Sequence, residues 1–163
     1  MVQKTTITPE KKHINPSKRG TFKISYIEGP IQPAPSWYQA SQDEHGAVST
    51  FIGTVRNTNH GREVTKLNYS IEQNFSTLAL AEICKETEEK FGVSDIEIIH
   101  SHGELNIGDI SVYIKVSTKH RHEAFQICEY VIEQLKIRAT IWKKEFYTDG
   151  ETEWLKGHAL CRH

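Results

Sequence analysis

The sequence predicts a mixed α/β (α+β) domain with two main helices and a β-hairpin, and three patterns carry that prediction. Segments rich in β-branched and aromatic residues recur along the chain, two amphipathic stretches of helical length interrupt them, and short clusters of Gly, Asn and Pro separate the pieces. A length of 163 residues fits one domain with a real core.

Residues 1–21 are polar and basic and lack apolar periodicity, so they read as a flexible basic extension ahead of a single domain over residues 22–163. FKISYIEG is a first strand, and Pro30, Pro33 and Pro35 force an extended connection after it. Ser36 is placed to cap a short helix from Trp37. AVSTFIGTVR is a second strand; the turn signal NTNHG and the alternating VTKLNYSI after it suggest that these two strands form a hairpin. Ser76 is placed to cap a helix carrying Leu78, Ala79, Ile83 and Thr87 and ending before Gly92. DIEIIH is a strand, followed by a turn around Gly103–Gly108. In DISVYIKVS, Ile110, Val112, Ile114 and Val116 share one face while Ser111, Tyr113, Lys115 and Ser117 share the other. EAFQICEYVIEQLK buries a stripe of Ala124, Ile127, Val131 and Leu135. The last strand, ATIWKKEFY, sets Ile141, Lys143, Glu145 and Tyr147 against Trp142, Lys144 and Phe146.

With 25% charged residues, 37% hydrophobic residues and a net charge of −1, the molecule as a whole does not attract nucleic acid or membrane. Any anion-binding function must come from local clustering. There is no apolar run of the ~20 residues a membrane span needs, and the polar N-terminus lacks a signal-peptide core. Cys84, Cys128 and Cys161 are odd in number and far apart, as expected of reduced thiols in a cytoplasmic protein.

Positive charge gathers late in the chain, where Lys136, Arg138, Lys143 and Lys144 occur with no acid among them. A lysine ending a helix is ordinarily explained by the helix dipole, and Lys136 admits that reading. Lys143 shares a face with Ile141, so it either snorkels or does chemistry. Neighbouring cations and desolvation favour a neutral, nucleophilic amine on one lysine, while the others hold an oxyanion. His120 and Arg121 follow the clearest strand, and Arg56 ends another, so these residues can converge with the lysines. The pairs His100/His102 and His120/His122 suggest a metal, but no third ligand stands at a usual spacing, so none is expected. Cys128 lies beside the apolar stripe and reads as a small buried hydrophobe rather than a nucleophile.

The blocks GAVSTFIGTVRN, VSTKHRHEAF and EQLKIRATIWKKEFYTDGETEW, in this order and with two lysines seven residues apart, resemble the molybdopterin synthase large-subunit family from about Phe22 to Trp154. The resemblance implies a hammerhead-like mixed sheet and a homodimer within a heterotetramer. It implies transfer of two sulfurs from a small ubiquitin-like carrier, thiocarboxylated on its C-terminal Gly-Gly tail, to cyclic pyranopterin monophosphate, forming the molybdopterin dithiolene. No metal or dissociable cofactor is implied. Matched position by position, Lys136 and Lys143 are the catalytic lysines. Thr54, Val55, Arg56, His120, Arg121, Lys136, Lys143, Lys144 and Glu145 are substrate-binding positions, and Phe51 lies near the carrier-tail channel. The chain departs from the family at Ser70 and Glu72, at Ser101, and at Ile132, where a methionine is common. The competing reading is a non-catalytic phosphate- or nucleotide-binding module using the same basic patch, against which stands the lack of an RNA-binding signature.

Overall fold

A computed structural model describes residues 19–156 of the chain. Most of the expected N-terminal extension, residues 1–18, lies outside the described residues, as does Cys161. In chain order the elements are β1 (Phe22–Glu28), a 3-10 turn (Pro35–Tyr38), β2 (Ala47–Thr54), β3 (Thr58–Asn59), β4 (Arg62–Ile71), α1 (Gln73–Phe91), β5 (Asp95–Asn106), β6 (Ile110–Thr118), α2 (Arg121–Arg138), β7 (Ile141–Tyr147) and β8 (Thr152–Lys156). The strands run β2-β6-β5-β4-β7-β8 across the sheet, with β1 parallel on β5 and β3 antiparallel on β4.

The alternation of β6 explains the layering. Val112, Ile114 and Val116 point into the main core, where Ile96 and Ile98 of β5 meet Leu80, Ile83 and Cys84 of α1 and Ile127, Val131 and Leu135 of α2. Truncating one such fully buried Ile to Ala costs about 2–5 kcal/mol. Tyr113, Lys115 and Ser117 face the other way and are covered by residues 29–46: Trp37 stacks on Tyr113 with centroids 4.1 Å apart, and the Ser41 amide donates to Ser117 Oγ at 3.0 Å. Both rows of β6 are therefore buried. At its start, β5 is pinned through Asp95, which accepts from the Thr21 amide (2.9 Å), the Thr21 hydroxyl (2.7 Å) and Gln42 (3.1 Å). Residue 21, the last of the expected flexible extension, is thus tied down.

Several local expectations are corrected. Ser76 caps nothing: α1 starts at Gln73, with Glu72 accepting from the Asn74 amide. Ser76 is instead fully buried and exchanges hydrogen bonds with the Thr140 backbone, its hydroxyl donating to the carbonyl at 3.2 Å and accepting from the amide at 3.1 Å. The buried stripe of α1 accordingly runs through Ser76, Leu80, Ile83, Cys84 and Thr87, leaving Leu78 exposed. The turn after Pro33 is a single 3-10 turn preceded by Ala34, with no side-chain cap from Ser36. β2 does not pair with β4; it pairs with β6, and the hairpin is the tighter one between β3 and β4. There His60 (φ 48°) and Gly61 (φ 75°) form a two-residue loop with the left-handed backbone that such turns demand. β5 also runs past the expected turn to Asn106, changing partners near Gly103, whose φ of 83° bends it from β1 and β6 toward β4.

Candidate active site

β7 lies between β4 and β8, and its alternation turns Ile141, Lys143, Glu145 and Tyr147 inward, as the sequence predicts. Across the ladder Lys143 stands opposite Tyr69 and Leu155, and Glu145 opposite Leu67 and Glu153. Ile141, Lys143 and Glu145 of this row border a cavity of about 740 Å³, a size typical of small-molecule sites. Its other walls are the C-terminal half of α2, the segment from the end of β2 into β3, and residues of β4, β5 and β6.

Lys143 forms an ion pair with Glu145, and both side chains are buried. Glu145 has donors on both oxygens: Asn59 Nδ2 reaches Oε1 at 3.0 Å and Oε2 at 2.9 Å, and the Tyr147 hydroxyl reaches Oε2 at 2.7 Å. Burial pushes the Glu145 carboxyl up, but hydrogen bonds from Lys143, Tyr147 and Asn59 outweigh it, and the group sits below the ordinary glutamate value. Burial and the bond to Glu145 push the Tyr147 hydroxyl well up, so it remains a donor.

Lys136 reaches the cavity because it follows the stripe residue Leu135. A step of 100° around the helix moves it off the core-facing line, alongside Ile132 and Glu133. Among the described residues no hydrogen bond or ion pair holds its amine. Arg138, two residues on, is committed elsewhere: it donates to Glu86 of α1 at 2.7 Å. Arg56 is positioned by its neighbour. Val55 is buried, its amide donating to Asp109 O at 3.0 Å and its carbonyl accepting from Gly108 at 2.9 Å, which follows a register irregularity at Gly53/Thr54. Thr54 and Arg56 on either side of this anchor line the cavity, as do Val55 and the half-buried Phe51.

Of the residues singled out from sequence, Phe51, Thr54, Val55, Arg56, Lys136, Lys143 and Glu145 thus come together. Three do not. His120 and Arg121 sit at the start of α2, roughly 22 Å of helix away from Lys136. Lys144 lies on the outer face of β7, its ammonium 5.2 Å from the Phe146 ring centroid and 5.7 Å from that of Trp154. Residues that the sequence reading did not place here join the site: Asn59, read only as part of a turn, Tyr69, read only as one of an alternating row, and His100, read only in a weighed metal pair with His102. His100 is pushed down to about 4 by burial, with the charge of His102 adding to the effect. Its ring is therefore neutral, hydrogen-bonded through Nδ1 to Ser101 O at 2.8 Å and edge-on to Tyr69 at 5.0 Å.

Two cations, Arg56 and Lys136, set beside the buried Lys143–Glu145 ion pair in an α/β scaffold make this an enzyme-like domain built to handle an anion. Residues 27–138 match the family model described as MoaE protein. The chain is 46% identical over 145 residues to the molybdopterin synthase catalytic subunit of Synechococcus elongatus, covering 88% of this chain and 87% of that one. It is 42% identical over 133 residues to the Bacillus subtilis catalytic subunit, with coverage of 82% and 84%. The crystal structure of Staphylococcus aureus molybdopterin synthase superposes with a TM-score of 0.73 at 35% identity, over 80% of this chain and 94% of that one. This chain belongs to the MoaE protein family. The family and fold class expected from the sequence blocks hold. Among the described residues no helix is long and apolar enough to cross a membrane.

Proposed function

We propose that this chain is the catalytic subunit of a molybdopterin synthase. In this reading its cavity receives cyclic pyranopterin monophosphate together with the thiocarboxylated Gly-Gly tail of a small ubiquitin-like carrier. The observation that supports it most is the convergence of Arg56, Lys136 and Lys143 on one cavity, since both reactants are anionic. The relatives are named catalytic subunits, which implies a further subunit in their enzyme. Two thiocarboxylates each give up a sulfur to the pterin side chain. One sulfur displaces the ring ester oxygen, which stays on the phosphate, and the other displaces the side-chain carbonyl oxygen, which leaves as water. Each carrier acyl carbon takes oxygen from water and leaves as a carboxylate, so one water is consumed net. Lys143, tied to Glu145, serves as a fixed positive charge. Lys136, without a counter-ion among the described residues, holds or attacks the thiocarboxylate carbonyl. The thin Gly-Gly tail suits a narrow entry that keeps water from hydrolysing the thiocarboxylate early.

Because His120 and Arg121 do not line their own chain's cavity, their role as substrate contacts needs a second copy, in the homodimer that the family implies. Cys84 and Cys128 are both free and buried, which supports a cytoplasmic setting. The test is reconstitution of the purified chain with thiocarboxylated carrier and pterin precursor, following dithiolene formation, with light scattering for the assembly. Conversion that requires the intact carrier tail is expected. No conversion, or equal conversion with a carrier lacking its two terminal glycines, overturns the reading.

A further inference from the structure

Asn59 and Arg62 flank the His60–Gly61 loop, so one tight turn delivers two side chains to the same place. Asn59 donates to both oxygens of Glu145, while the Arg62 guanidinium lies 3.5 Å over the Tyr147 ring centroid and is itself held by Asp149 (3.0 Å) and Glu151 (2.8 Å). Tyr147 in turn donates to Glu145. A continuous set of contacts therefore runs from the surface through Arg62, Tyr147 and Glu145 to Lys143. Lysine has a long, freely rotating stem, and a single ion pair leaves its head mobile. A carboxylate held by donors on both oxygens cannot swing, so its partner cannot either.

We propose that Asn59 and Tyr147 are positioning residues of the reaction, locking the Glu145 carboxylate so that it presents the Lys143 ammonium to the cavity. This rests on the sulfur-transfer reading above. Neither residue is assigned contact with substrate; both act through Glu145. The groups facing Glu145 are Lys143 and Tyr147 on its own strand, Asn59 on β3, Tyr69 on β4 and Glu153 on β8, with Arg56 and Lys136 also on the cavity wall. Burial already pushes the Glu145 carboxyl upward, and its donors hold it down. Removing a donor lets burial regain ground, so Glu145 takes up its proton, and Lys143 loses its counter-ion, at a higher pH.

The test uses the full chain, thiocarboxylated carrier and pterin precursor, with Tyr147→Phe, which keeps the ring under Arg62, and Asn59→Ala. Each variant should lower kcat roughly tenfold or more, leave KM for the carrier within about twofold, and move the acid limb of the pH profile upward. In a Glu145→Gln background, Asn59→Ala should add no more than about twofold. In parallel, a carbon-13 titration of the Glu145 carboxyl should show a raised midpoint in both variants. A kcat within twofold of wild type with an unmoved acid limb, losses fully additive with Glu145→Gln, or an unchanged carboxyl midpoint would each overturn the proposal. If the wild-type chain converts no precursor, the sulfur-transfer reading fails, and the carboxyl titration still decides the positioning roles.

Discussion

Lys115 on β6 and Lys143 on β7 are buried to the same degree, each 7% exposed, in two different surroundings. Lys115 lies under the segment that covers the outer face of the sheet, opposite Glu97 on the next strand, and donates to the Ser36 carbonyl at 2.8 Å. Lys143 borders open volume, is paired with a carboxylate that has further donors of its own, and shares its cavity with two more cations. Burial alone therefore says little about a lysine. Free space beside it and the company of like charge separate a reacting group from a structural one. The same contrast holds between Lys136 and Arg138, two residues apart on α2, of which only the first is left without a partner among the described residues.

The sharpest way to break this comparison is to remove the cavity cations. Lys136→Ala and Lys143→Ala should each lower dithiolene formation by roughly a thousandfold, the scale of losing a preorganised charge at a reacting centre, with circular dichroism unchanged. Turnover within a few-fold of wild type would end the distinction drawn here. The cavity region should also carry a pH signature of its own. His100 binds its proton at about pH 4 when folded and at its ordinary 6.5 when unfolded. Between these values only the unfolded chain is protonated, so stability is fully present above pH 6.5 and falls by about 3 kcal/mol as pH drops toward 4. Urea unfolding across that window should be steep for wild type and flatter for His100→Gln; parallel curves would remove His100 from the account.

Two smaller effects sharpen the comparison. Arg121→Ala should weaken binding of the pterin precursor at least about tenfold, measured by calorimetry, while carrier affinity is kept. Unchanged precursor affinity would confine the substrate contacts to the cavity residues of a single chain. Lys115→Met should do least: turnover within about twofold of wild type and a melting shift of a few degrees at most, since replacing a buried cation by an apolar side chain of similar length is often near neutral. A large loss of turnover would show that burial by itself does mark function in this chain.

Much of the site was readable where the argument was local. The period-two pattern of 141–147 placed Lys143 and Glu145 on one face and Lys144 on the other. The helical stripe of α2 placed Lys136 at its end. Asn59 was not readable, because a turn asparagine has an adequate local reason to exist and nothing in NTNHG points to a carboxylate 86 residues away. Ser76 misled for the same reason: a serine near a helix start satisfies the capping rule, and only its contact with Thr140 shows a different use.

By itself the sequence determined most of the elements, though not β3, read as a turn, or β8, which follows the strand taken to be the last. It also determined the direction in which their side chains point, and the family through ordered blocks. Those properties repeat every two or 3.6 residues and need no knowledge of distant chain. Strand partners and cavity membership were decided only in three dimensions. β2 chose β6 over β4, β5 changed neighbours at Gly103, and Lys136 joined Arg56 and Lys143 while His120 and Arg121 were carried to the far end of α2. Register and helix length set those outcomes, and both depend on how apolar faces far apart in sequence are buried against each other.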